Sequence, residues 1–156
     1  MKELTKKELS EESEVFTAVW KVLKQYSGIK TETEFDIFIQ NIKSIPKHFQ
    51  KKYQFCCELL LVIGDYITLK NKNKEELQSL SEENKLLIQA WEFMKKFAVP
   101  ESDDDWVIIV DNAKKTANQY NYNKNLHYLA THILLQVCEQ IDKNEKERKM
   151  QEYALR

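Results

Sequence analysis

Trp20-Lys21-Val22-Leu23-Lys24-Gln25-Tyr26 is answered 71 residues later (91 − 20) by Trp91-Glu92-Phe93-Met94-Lys95-Lys96-Phe97. The same offset relates Phe35 to Trp106, Ile37 to Ile108 and Asn41 to Asn112. Self-similarity at a fixed period is the mark of one structural unit used twice. The competing reading is chance, because aromatic and lysine residues are frequent here and all helices share one period. Both segments carry apolar residues at helical spacing, so the unit is helical.

Outward from these segments, six helices are expected. The first runs from about Glu11 to Ser27, with Ser10 as its cap, acids in its first turn and Gly28 as a left-handed stop. Phe16, Val19, Trp20 and Leu23 form its stripe. Thr31-Glu32-Thr33-Glu34 is a capping box opening the second helix, which Pro46 ends. The third runs from Pro46 to about Leu69, with Phe49, Tyr53, Cys57 and Leu60 on one face. Its segment Phe55 to Ile63 is apolar almost all round, which places it centrally. Gly64 within it implies close approach of another helix, or a bend.

Lys70 to Lys74 reads as the connection between copies, Glu75 to Leu80 as a short helical turn, and Ser79 to Glu82 as a further capping box. The fourth helix follows from about Glu82 to Phe97, with Leu87, Ala90, Trp91 and Met94 inward. Ser102 to Asp105 starts the fifth, with Trp106, Ile109, Val110, Ala113, Ala117 and Tyr120 at helical spacing. After a turn at 121–123, the sixth covers Lys124 to Lys149. Its inner stripe is Leu126, Leu129, Ala130, Ile133, Leu134, Val137 and Ile141, and its charged end from Lys143 is expected to fray. The fold class is therefore all-α: a six-helix bundle of two tandem three-helix repeats, residues 11–70 and 82–149, in one helical domain over 1–156. Only 2 Gly and 2 Pro agree, since sheet proteins need tight turns.

Composition bounds the chemistry. A net charge of −1 excludes a strongly basic protein, and Arg148 and Arg156 are the only arginines among 24 basic residues. Scarce arginine weakens a nucleic-acid reading, although an AT-rich genome, which favours lysine codons, is the simpler account. Cys56, Cys57 and Cys138 are an odd number within apolar runs. They read as small hydrophobes and point to a reducing compartment, the cytoplasm. The N-terminus lacks the apolar core of a signal peptide, and Phe55 to Ile63 is too short to span a bilayer.

No residue pattern demands catalysis or a cofactor. Asp103, Asp104 and Asp105 are consecutive, point different ways and suit the positive end of a helix dipole better than a metal. His127 and His132, five apart, lie about 140° apart around a helix, not on one face as a zinc pair would. His48 is too far along its helix to meet Cys56 or Cys57, and Glu58 marks the solvent edge of the third helix. Two glycines cannot build a phosphate-cradling loop. No catalytic, cofactor or metal residues are therefore assigned.

Trp91, Phe97, Asp103 to Asp105, Trp106, Ile109, Asn112, Ala113, Tyr120 and Leu129 to Ile141 form a pattern of tryptophan-led helix, acidic cap, aromatic-led helix and leucine-rich helix. In this the second copy resembles small helical proteins of Firmicutes prophages and other mobile elements. The resemblance directly covers under half of the chain and implies a context, not a mechanism. The expected function is non-enzymatic: an interaction protein, such as a mobile-element accessory or inhibitor factor, that binds another protein or a second copy of itself. Tyr26, Tyr53, Tyr66, Tyr120 and Tyr122 are the expected exposed contacts, because aromatics near helix ends make hot spots. The alternative is nucleic-acid binding through a basic strip at Lys47, Lys51 and Lys52.

Overall fold

A computed structural model describes residues 1–72 and 80–156. Among these residues six α-helices form and no strand does. They are α1 (Ser10–Tyr26), α2 (Glu32–Ser44), α3 (Tyr53–Lys72), α4 (Ser81–Lys96), α5 (Asp103–Asn118) and α6 (Lys124–Ala154). The expected helical turn at Glu75 to Leu80 and the Ser79 to Glu82 capping box fall wholly or partly outside the described residues. The connection expected from Lys70 to Lys74 does not begin at Lys70, because α3 continues to Lys72 and buries Lys70, and its end lies outside the described residues.

Helices α3 and α6 pack along one another at the centre, as the apolar run in α3 predicts. Helix α1 lies on α3, α4 lies on α6, and α1 meets α4. Helix α5 lies along α6, whereas α2 meets α3 through the turn that follows it and through Phe38, whose ring faces Gly64. All seven residues of the expected inner stripe of α6 are buried, as are Val15, Val19, Leu23 and Leu59. Cover around α3 is incomplete, for Leu61 is exposed. Glu58 is half-exposed and accepts a hydrogen bond from Gln54 at 2.6 Å, in keeping with a solvent edge.

Local chemistry sets the helix starts. Thr31 and Ser102 each accept, through the side-chain oxygen, the backbone N–H three residues on, that of Glu34 and Asp105 respectively, both at 3.2 Å. This satisfies one of the open donors at each helix start. Asn123 does the same for α6, accepting from the N–H groups of Asn125 and Leu126.

Four expectations need correction. Ser10 is the first helical residue, and Leu9 precedes it without a side-chain cap. Gly28 is not left-handed: α1 ends through Ser27, in ordinary helical geometry. The third helix does not begin at Pro46. Two short 3₁₀ turns, Ile45–His48 and Gln50–Lys52, intervene, with Phe49 out of helical geometry between them and Pro46 buried. Such turns are common connectors where a helix must change direction. Nor does α6 fray after Lys143. It stays helical to Ala154, because Asn144 and Glu145 are buried and Arg148 donates to the carbonyl of Ala98 at 2.8 Å.

Gly64 faces Phe38, and a Cβ placed there would lie 3.4 Å from the Phe38 ring. That is ordinary contact, so Gly64→Ala should raise stability by up to about 1 kcal/mol through helix propensity. Gly64→Leu should instead cost about 1–3 kcal/mol through overpacking. Thermal melts of the two variants check both signs.

Candidate interaction surfaces

Three of the five candidate tyrosines are core residues. Tyr26 packs its ring on Phe38, with centroids 5.0 Å apart, and its hydroxyl accepts from the Asn41 amide. Tyr66 is fully buried and donates to Glu83 Oε1 at 2.6 Å. Tyr120 is buried and donates to the Gln89 side-chain oxygen; burial pushes its hydroxyl up to about 12. The expectation of exposure fails for these three because a tyrosine buries its ring readily once its hydroxyl finds a partner. Tyr53 and Tyr122 are exposed, at the start of α3 and in the turn before α6. The hydroxyl of Tyr122 donates to Glu82.

The basic strip is also reduced. Lys47 and Lys51 are exposed, but Lys52 is turned inward. Its Nζ lies 2.8 Å from Asn144 Oδ1, 3.7 Å from Glu12 Oε1 and 3.9 Å from Glu147 Oε2.

Glu12 and Glu83 are both buried acids that the sequence reading missed. Glu83 Oε1 receives the Tyr66 hydroxyl and the Lys70 ammonium, the latter at 3.1 Å. The signal was present: Leu9-Ser10-Glu11-Glu12 recurs as Leu80-Ser81-Glu82-Glu83 at the offset of 71 residues. Burial pushes the Glu12 carboxyl above its ordinary value, and Lys52 draws it back.

Among the described residues, no three His, Cys, Asp or Glu side chains are grouped to hold a metal ion. Asp105 instead accepts the backbone N–H of Glu101 at 2.8 Å, which holds its carboxyl below the usual range. His132 stacks on Tyr128 with centroids 4.1 Å apart, and His48 is exposed. The cysteines are free; burial pushes the Cys56 thiol up to about 12 and that of Cys138 to about 11, away from thiolate chemistry.

An open, largely apolar surface lies between α5 and α6. Val110, Ala113 and Ala117 face Leu134, Leu135 and Cys138 across a groove of ≈ 480 Å³. On α5 and α6 four aliphatic side chains remain 44–68% exposed: Val107, Ile108, Val110 and Leu135. No helix among the described residues is long and apolar enough to cross a membrane. No family model, curated protein or solved structure matches the chain.

Proposed function

We propose that the chain is a non-enzymatic, cytoplasmic module that binds another protein, in the manner of a mobile-element accessory or inhibitor factor. Its binding face is the outer surface of the α5–α6 pair. One observation carries this reading: an apolar groove between α5 and α6 whose lining includes the exposed Val110 and Leu135. Contiguous exposed apolar surface marks interaction sites on soluble proteins. Nucleic-acid binding is the weaker reading, since Lys52 is engaged by Glu12 and Asn144.

The module is further read as two copies of one three-helix unit, and several observations support this. Helices α1, α2 and α3 begin at Ser10, Glu32 and Tyr53; α4, α5 and α6 begin at Ser81, Asp103 and Lys124, each 71 residues on. Burial matches at equivalent positions, including Val15 with Leu86, Leu23 with Met94, Phe38 with Ile109 and Glu12 with Glu83. A small groove between α1 and α4 is lined by Ser13, Phe16, Thr17 and Trp20 together with their counterparts Asn84, Leu87, Ile88 and Trp91.

The duplication also gives the α5–α6 groove a cause. Ile39, Ile42 and Pro46 stand at the positions that Val110, Ala113 and Ala117 take in the second copy. The side chains on α5 are the smaller at all three positions.

Leu135→Glu tests the face. The exposed position should change stability by no more than about 0.5 kcal/mol, whereas a charge in an apolar contact should weaken capture at least tenfold. The measurement is affinity capture from the cell of origin, wild type against variant, with circular dichroism as the folding control. Equal capture by both would sink the assignment of the face.

A further inference from the structure

We propose that this face also takes a second copy of the chain, through antiparallel pairing of the two α6 helices. The inference rests on the preceding reading of the α5–α6 surface and names an occupant for it.

The argument begins with what α6 leaves uncovered. Leu135 and Cys138 stand at the groove, and Met150 and Tyr153 are 73% and 83% exposed near the other end of the same helix. All residues from Lys149 to Arg156 are exposed. At about 100° per residue these four apolar side chains share one face about 120° wide. Leu135 and Tyr153 are 18 residues apart on one continuous helix, or about 27 Å at 1.5 Å per residue. The apolar end therefore cannot fold back into the groove of its own chain, whereas a second α6 laid alongside would cover both.

Charge sets the register. Between the two apolar ends, the same face carries acids first, Glu139 and Asp142, and then bases, Lys146 and Lys149. Two such helices laid antiparallel and crossing at Asn144 place Leu135 against Tyr153 and Cys138 against Met150. The same register sets Glu139 against Lys149 and Asp142 against Lys146. Each pairing occurs twice, as an isologous two-fold contact requires, and the opposite charges between the two apolar ends fix orientation between the helices. Asn144 itself is buried toward its own chain, so it does not obstruct the crossing. Lys146 already pairs with Asp142 at 2.7 Å and Lys149 with Glu145 at 2.8 Å, so the crossing extends existing pairs into clusters. The end of each partner helix then lies beside Val107 and Val110, covering the exposed wall of the groove.

The contact is a strip about one helix wide and about 27 Å long between its outermost pairs. That lies in the size range of reversible interfaces, so the dimer should dissociate on dilution.

Sedimentation of the purified chain tests this with two charge-uniform variants, Lys146→Glu/Lys149→Glu and Glu139→Lys/Asp142→Lys. The wild type should show a concentration-dependent dimer. Each variant alone should self-associate at least tenfold more weakly while keeping its helical spectrum. Mixed together, the two should form a one-to-one heterodimer, because their charges again oppose. A wild type monomeric at about 1 mM, variants that dimerise like the wild type, or a mixture that stays monomeric would each overturn the proposal. These four positions lie outside the groove. A monomeric wild type whose capture from the cell of origin is still abolished by Leu135→Glu would refute self-pairing alone, leaving the binding face intact.

Discussion

Replacing Lys70 with methionine is expected to cost about 3–5 kcal/mol of folding stability, the usual consequence of removing one member of a buried ion pair. Lys70 is buried, its Nζ is 3.1 Å from Glu83 Oε1, and it lies 5.0 Å from the centre of the Tyr66 ring. Methionine keeps much of the apolar stem and loses the charge. Glu83 would then hold its carboxylate inside the protein with the Tyr66 hydroxyl on Oε1, while Oε2 has no hydrogen-bond partner among the described residues. Adding Glu83→Leu should recover most of the loss, since apolar replacement of both partners is often neutral or better. Urea unfolding of the single and double variants measures the difference. A loss below about 1 kcal/mol for Lys70→Met would mean that Glu83 does not depend on this cation.

Lys52→Met is the matching experiment at the other buried acid, with a pH dependence whose sign follows from Glu12. The folded state raises the Glu12 carboxyl above its ordinary value, burial being the largest cause. A raised carboxyl binds its proton more readily folded than unfolded. Its contribution to stability is therefore complete below the ordinary carboxyl range and is lost as pH climbs through the raised value. Removing Lys52 takes away the charge that draws Glu12 back and steepens this loss. The variant should cost about 3 kcal/mol at neutral pH, near the low end for a broken buried pair, and much less near pH 4. Lys52→Met/Glu12→Gln should recover stability at neutral pH and flatten the profile. Urea midpoints across this range decide the matter, and an equal cost in acid and at neutrality would contradict the assignment.

The helices were legible because their apolar periods are long and their caps are chemical. The α6 stripe and the Thr31 and Ser102 caps needed nothing beyond the sequence. The 3₁₀ turns after Ser44 were not legible, since Pro46 fits the first turn of a helix as well as a connector. Tyr120 continues the stripe of Ala113 and Ala117, so its burial could have been read from spacing. Tyr66 likewise follows Leu59 and Ile63 at helical spacing; only its hydroxyl partner, Glu83 from another helix, lay outside that reading. Matching Glu12 with Glu83 required extending the 71-residue sequence offset back to Leu9 and Leu80. The open groove depends on how α5 comes to lie along α6. No single helix carries that information.

The groove between α1 and α4 gives the chain a built-in optical probe. Trp20 and Trp91 both line it, each with a lysine ammonium near its ring, Lys24 at 5.4 Å and Lys95 at 5.5 Å, and the Trp91 ring sits 5.7 Å from Phe16 of the opposite helix. Two of the three tryptophans thus sit at the seam where α1 meets α4. Their indole emission should shift to the red when that seam parts, which makes intrinsic fluorescence a label-free reporter of whether α1 and α4 separate before or together with the loss of helix.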